Sequence, residues 1–330
     1  MIDRPSAGGR RRVAARSFRR ARGPLDLRRT AVVLAASCLA LGAPALAGDW
    51  GFTEVAAPAG VAFEHTLPDG VPVTEPMMMH GGAAAADLDG DGWPDLVAVR
   101  GPDLGVALYR NRGDGTFEDR ADAAGIRQAD RFVHSVGVAD IDGDDDLDLL
   151  FGGVSGQRPV LFANRGDGTF DDISADAGLV SNRDTFSSAF ADIDLDGDLD
   201  LFITHWSGDQ FGQLPANHLW RNNGDSTFSP IDFAAGVAQI FLSLDWSFTP
   251  NFVDVNGDFY PDLLLASDFE TSQVVINRGD STFDVATDPD VITDENGMGA
   301  AVGDFDGDGV WDWFVSSIWD PNGVNEANWG

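Results

Sequence analysis

Oxygen-bearing side chains recur at alternate positions of one nonapeptide, five times along the chain, in a pattern suited to a hard cation. Positions one, three, five and nine hold Asp87, Asp89, Asp91 and Asp95 in the first copy and Asp140, Asp142, Asp144 and Asp148 in the second. The third has Asp192, Asp194, Asp196 and Asp200, the fourth Asp254, Asn256, Asp258 and Asp262, and the fifth Asp304, Asp306, Asp308 and Asp312. In a tight loop such oxygens converge on one point, and Ca²⁺ takes six to eight of them at about 2.3–2.6 Å. A backbone carbonyl at position seven, water, or a second carboxylate oxygen would complete the shell. Calcium, about one ion per loop, is therefore the expected cofactor, since magnesium prefers a rigid octahedron with retained waters. Carboxylates packed this densely repel one another unless a cation joins them. An EF-hand is excluded, because it needs a Glu at position twelve, where this chain has Ala98, Phe151, Ile203, Leu265 and Val315.

The segments around each loop read as strands. The first residues of the loops lie 53, 52, 62 and 50 positions apart, a period that signals repeat architecture. A small or apolar lead-in such as Ser135–Ala139 precedes the loop, and an apolar lead-out such as Leu147–Phe151 follows it. A hairpin signal comes next, as in Leu108-Tyr-Arg-Asn-Arg-Gly-Asp-Gly-Thr-Phe117, whose Asn, Gly and Asp favour a tight reversal. Four short strands per repeat make the blade of a β-propeller, an all-β fold in which radial repetition hides sheet edges. A calcium-binding β-helix would turn over at much shorter periods. The expected architecture over residues 48–330 is four such blades and a partial fifth. About ten extra residues in repeat three, between Trp206 and Asn217, are expected in a surface loop.

Charge sets the partners. All 21 cationic side chains are arginine, and residues 48–330 carry eleven of them against 52 acids. Such a surface repels nucleic acid and anionic lipid. Residues 1–47 are different: a basic stretch through Arg29, seventeen uncharged residues and an Ala45-Leu46-Ala47 ending have the form of a cleaved export signal. Secretion or periplasmic or cell-surface location follows, with no membrane insertion after cleavage. Cys38, in a loose lipoprotein-like box, offers an alternative anchor. Because Cys38 is the only cysteine, the mature chain would have no disulfide to brace it.

The acidic loop followed by an apolar strand and the L-Y-x-N-x-G-D-G-T-F hairpin resembles FG-GAP/VCBS repeats, especially those of the cartilage acidic protein and ASPIC/UnbV group, and more distantly integrin α-subunit propellers. The resemblance covers about residues 52–330. It implies a calcium-bearing extracellular propeller, typically of seven blades. Asp145 and Phe259 replace the loop glycine in copies two and four, a departure that bears on how tightly those loops close. Repeat five stops at Gly330 where its third strand should follow, so the chain reads as a fragment. Phe52–Val55 with Ala59-Gly60-Val61 matches the hairpin exit Phe170–Ile173 with Ala177-Gly178-Leu179, and reads as an outer strand of the last blade.

Two functions compete: an extracellular binding, adhesion or scaffolding module with a protein or carbohydrate ligand, and the propeller portion of a secreted enzyme acting on polysaccharide or using a quinone. The enzyme needs a convergent acid, base or nucleophile set, and His65, His80, His134, His205 and His218 fall in no such spacing. Trp206, Trp246, Trp311, Trp313 and Trp319, with Met77–Met79, are expected to fill space between blades and along the channel rather than to bind ligand. Arg112-Gly113-Asp114, Arg165-Gly166-Asp167 and Arg278-Gly279-Asp280 spell an adhesion tripeptide, but repeat three keeps the turn with Asn223-Gly224-Asp225, so these are expected to be hairpin turns.

Overall fold

The computed structural model describes residues 52–67, 77, 79, 81–129, 131–181, 183–207, 218–240, 245–292 and 296–317. The proposed export signal, His80, Met78, Trp319 and most of the repeat-three insert lie outside them. The chain divides into two units after Glu54, and the described sheets all belong to the second.

Each repeat folds into an antiparallel sheet. Blade one contains Ala83–Ala86, Asp95–Val99, Val106–Asn111 and Phe117–Asp119 in sequence order, and blade two Val133–Ala139, Asp148–Gly153, Val160–Asn164 and Phe170–Asp172. Blade three contains Ser187–Ala191, Asp200–Thr204, Leu219–Asn222 and Phe228–Pro230. Blade four is built from Asp245–Val253, Asp262–Ser267, Gln273–Asn277 and Phe283–Val285. Gly297–Gly303 and Asp312–Ser317 form the described part of blade five. These are the four-stranded blades expected of a β-propeller.

The apolar lead-outs are continuous runs because the second strand of an inner blade is covered on both faces. Leu149 and Phe151 pack toward blade one with Val97, Leu108 and Ile126, while Leu150 packs toward blade three with Leu201, Ile203 and Trp220. The next core, between blades three and four, joins Ile193 and Phe202 to Leu263, Leu265 and Val275. At about 25 cal/mol per Å² of buried apolar surface, these between-blade cores supply the main cohesion of a fold without disulfides. A fourth cluster gathers side chains from all five repeats, among them Met79, Phe132, Phe186, Phe248 and Met298, with Trp206 and Trp246. This convergence arranges the first strands around a common centre. It also places the two tryptophans and Met79 in packing roles, as expected, whereas Trp311 is exposed.

One expectation changes. The repeat-three insert does not begin as a simple loop: Trp206–Ser207 forms a fifth strand on blade four, with Trp206 opposite Trp246 and Ser207 opposite Asp245. The added strand buries the Trp206 ring, whose Nε1 donates to Asp268 at 2.8 Å, and burial of so large a side chain outweighs exposure in a polar loop.

Candidate metal centre

The acidic loops close by using carboxylates as turn acceptors. In the first loop Asp87 accepts the amides of Asp91 and Gly92 at 3.1 and 2.8 Å, and Asp91 accepts that of Trp93 at 3.0 Å. Equivalent bonds recur in the others, for example from Asp258 and Phe259 to Asp254 and from Asp308 and Gly309 to Asp304. The ninth residue is a brace. Asp95 lies at the start of the second strand, where one oxygen accepts the Leu88 amide at 3.3 Å and the other the Asn111 amide at 2.7 Å. Asp148, Asp200 and Asp262 repeat both contacts, and Asp312 accepts the Phe305 amide.

Loops two and four keep this form despite lacking the position-six glycine. Asp145 and Phe259 adopt φ of 72° and 77°, beside 87° for Gly92. A side chain added at Gly92 would meet nothing within 4 Å, so these substitutions meet no obstacle and carry only the backbone strain, roughly 1–2 kcal/mol for a non-glycine residue.

Among the described residues, ligand oxygens come within 4.8 Å of one another in four clusters: Asp87, Asp89 and Asp91; Asp140, Asp142 and Asp148; Asp192, Asp194 and Asp200; and Asp304, Asp306 and Asp308. Asp95, Asp144, Asp196 and Asp312 are outside these trios, as are the residues of loop four, where Asn256 supplies an amide in place of a carboxylate. Position three distinguishes itself. The Oδ1 atoms of Asp89 and Asp194 are buried without a hydrogen-bond partner, and the Asp89 side chain is only 7% exposed. A buried carboxylate oxygen left without a donor is costly. A cation at the loop centre would satisfy it, so the donor set fits a hard metal ion.

Electrostatics agree. Burial, partly offset by the amide bonds and reinforced by neighbouring carboxylates, pushes Asp148 up to about 6 and Asp200 to about 7, and raises Asp95 and Asp262. Burial, then Asp144 and Asp140, raises Asp142. In loops one and three an arginine from the third strand offsets the charge. Arg110 pairs with Asp89 and lies 3.4 Å from Asp91, and Arg221 lies 2.6 Å from Asp194. The corresponding residues in blades two and four are Ala163 and Ile276. These arginines were not singled out from sequence, although the alternation Arg, Ala, Arg, Ile before the hairpin Asn was visible there.

The histidines form no catalytic set among the described residues. His134, His205 and His218 each set Nδ1 2.8–3.0 Å from a backbone carbonyl, of Phe186, Asp184 and Ile203 respectively. His218 Nε2 lies 3.2 Å from Asp245 Oδ2, and Ser247 donates to Asp245 Oδ1 at 2.7 Å. The aspartate separates the serine from the imidazole, and His218 is fully buried, so this chain of contacts lacks the geometry of an activated nucleophile. The three Arg-Gly-Asp segments are hairpin turns. Arg112, Arg165 and Arg278 pair with Glu118, Asp171 and Asp284, and the tripeptide aspartates accept from Thr116, Thr169 and Thr282.

The family described as FG-GAP-like repeat matches residues 87–151, 146–203 and 254–315, together more than half of the chain. Cartilage acidic protein 1 of Homo sapiens is 28% identical over 116 residues, 34% of this chain and 17% of that protein, so the match spans well under a fifth of the relative's length. A solved lectin of Agrocybe aegerita, described as specifically recognising non-reducing terminal N-acetylglucosamine, is 22% identical with a TM-score of 0.44. It covers 72% of this chain and 60% of its own.

Proposed function

Because the chain belongs to the FG-GAP-like repeat family, we propose that it is a calcium-binding β-propeller serving as a binding or scaffolding module outside the cytoplasm. The observation that carries the metal reading is the partnerless, buried Asp89 Oδ1, repeated at Asp194 in the third loop. Asp87, Asp89 and Asp91 would hold an ion in loop one, with Asp95 bracing the loop from below. Asp140, Asp142 and Asp148, Asp192, Asp194 and Asp200, and Asp304, Asp306 and Asp308 would do so in loops two, three and five. In loop four Asp254, Asn256, Asp258 and Asp262 are the available ligands. When bound, calcium would neutralise these carboxylates and hold the ligand residues of each loop to one point. The protein supplies the rest: the first and fifth aspartates fold the loop, and the ninth anchors it to the second strand.

A module of this kind binds through its surface rather than by chemistry. The excess of acids disfavours nucleic acid and anionic membrane, and the proposed partner is an extracellular protein or carbohydrate. Residues 1–47 are proposed to direct export. Calorimetric titration of metal-stripped protein should show calcium binding at several sites, with magnesium much weaker. Absence of calcium heat at millimolar concentrations would remove the metal reading.

A further inference from the structure

The metal loop of one blade is held by the hairpin of the next. Asn164, in the blade-two hairpin, donates from Nδ2 to Leu88 O in loop one at 2.9 Å. Asn222 of blade three reaches Ile141 O in loop two at 2.7 Å, and Asn277 of blade four reaches Ile193 O in loop three at 2.8 Å. All three asparagines are buried. The same Nδ2 atoms donate within their own blades, to Leu147, Leu199 and Pro261 carbonyls, and each Oδ1 accepts the amide of the hairpin glycine two residues on.

The grip falls on position two, between the first and third ligand residues. In loop one the Leu88 amide is fixed by Asp95 of its own blade and the Leu88 carbonyl by Asn164 of the next. That carbonyl belongs to the peptide leading into Asp89, whose Oδ1 has no partner. Orienting this peptide therefore aims the carboxylate. Further contacts follow the same route: a side chain added at Gly168 would stand 3.1 Å from Asp89 Cβ, and Ser281 Oγ accepts from Arg221 at 2.6 Å beside Asp194.

We propose that the hairpin asparagines are positioning residues for the metal site of the preceding blade, so that each site is assembled by two blades and metal binding cements their junction. This inference rests on the calcium reading above. It is directional: Asn164 serves loop one and Asn222 serves loop two.

Terbium(III), a calcium-sized lanthanide excited through a nearby indole, reads loop one separately, because Trp93 is position seven of that loop. The emission that disappears in Trp93→Phe and is displaced by calcium reports this site in the full chain. Asn164→Ala, and Asn164→Asp, which keeps the shape but loses the donor, should weaken the Trp93-dependent site about tenfold, the loss expected from one buried hydrogen bond. Asn222→Ala should leave it within about twofold while lowering the melting temperature comparably. By reciprocity, Asp89→Ala, which empties loop one, should speed amide exchange at Gly166 and Thr169 in the blade-two hairpin. Unchanged affinity in the Asn164 variants, equal weakening in Asn222→Ala, or unaltered exchange in Asp89→Ala would each overturn the proposal. If wild-type protein gives no calcium-displaceable, Trp93-dependent emission, the metal reading fails first and this inference with it.

Discussion

Acid is concentrated in two kinds of place in this molecule, and the two are balanced differently. The nonapeptide loops are largely exposed and crowd carboxylates that the protein itself compensates only in part, through Arg110 and Arg221. At the join of blades three and four, Asp232 and Asp245 are buried around His218. There Asp232 accepts the amides of His218 and Leu219 at 2.6 and 3.1 Å, His218 faces Asp245, and the His205 ring stands 4.8 Å from that of His218. In the loops an arginine reaches the carboxylates of the first and third copies, whereas in the interior an imidazole faces the carboxylate directly. The comparison teaches that neither acidity nor a partnerless oxygen is distinctive by itself, since Asp232 Oδ2 also lacks a hydrogen-bond partner; what sets the loops apart is three acidic residues whose oxygens converge within 4.8 Å.

Removing metal should separate the two most sharply. Chelation should lower the melting temperature on the order of 20 °C, since each independent site at a hundred times its dissociation constant contributes about 2.7 kcal/mol and several are lost together. Differential scanning calorimetry in excess chelator measures this. An unchanged transition would reduce the loops to polar turns.

The interior centre should respond to mutation and pH instead. His218→Gln leaves Asp245 buried without its counter-charge and should cost about 3–5 kcal/mol in saturating calcium, read by urea unfolding. Burial alone lowers His218, but Asp245 and Asp232 override it and hold the imidazole above its ordinary 6.5. Burial raises Asp245, and His218 more than reverses this, leaving it below its ordinary 3.8. The histidine contribution is complete below pH 6.5 and is lost as pH rises through its elevated folded value. The Asp245 contribution is present above about pH 4 and is lost in acid. Stability of the wild type should therefore decline as pH rises above 6.5 through the elevated His218 value, and His218→Gln should flatten that slope.

Arginine links the two regimes. Arg110→Ala removes the internal cation from loop one and should cost up to about 1 kcal/mol in chelator and less in calcium, so the gap between the two conditions widens. An equal loss in both would assign Arg110 to packing. The smallest effect is expected from replacing Arg112, Arg165 and Arg278 with Asn. Unfolding should shift within about 0.5 kcal/mol, and cell attachment should be unchanged, because each arginine is already paired with the outer strand of its own hairpin. Lost attachment would return these turns to the list of adhesion sites.

The blade and its loop were readable in sequence because both depend on local chemistry. The alternate aspartates, the apolar lead-out and the Asn-x-Gly-Asp turn each act within a few residues, so the repeat displays them directly. What escaped depends on distance. Asn164, Asn222 and Asn277 read as turn residues, yet each has a second partner 76 to 84 residues away in another blade. Asp95 and its equivalents read as ligands like their neighbours, and their further role, in which both oxygens accept amides of the loop and of the third strand in the first four blades, could not be read from spacing. The replacements at Asp145 and Phe259 raised a question of loop closure that only the open space around position six could answer. Trp206–Ser207 read as the start of a loop because a two-residue strand with a distant partner has no period to detect.

That short strand has a mechanical consequence. The chain leaves blade three after its second strand, adds a strand to blade four, and returns to complete blade three at Leu219–Asn222. Blades three and four are thus interleaved along the polypeptide, while blades one and two are threaded one after the other. Pulled from its ends, the molecule should yield blade one or two in single steps, but blades three and four should give way in one rupture of about double length, since neither can be drawn out without dragging a strand from the other.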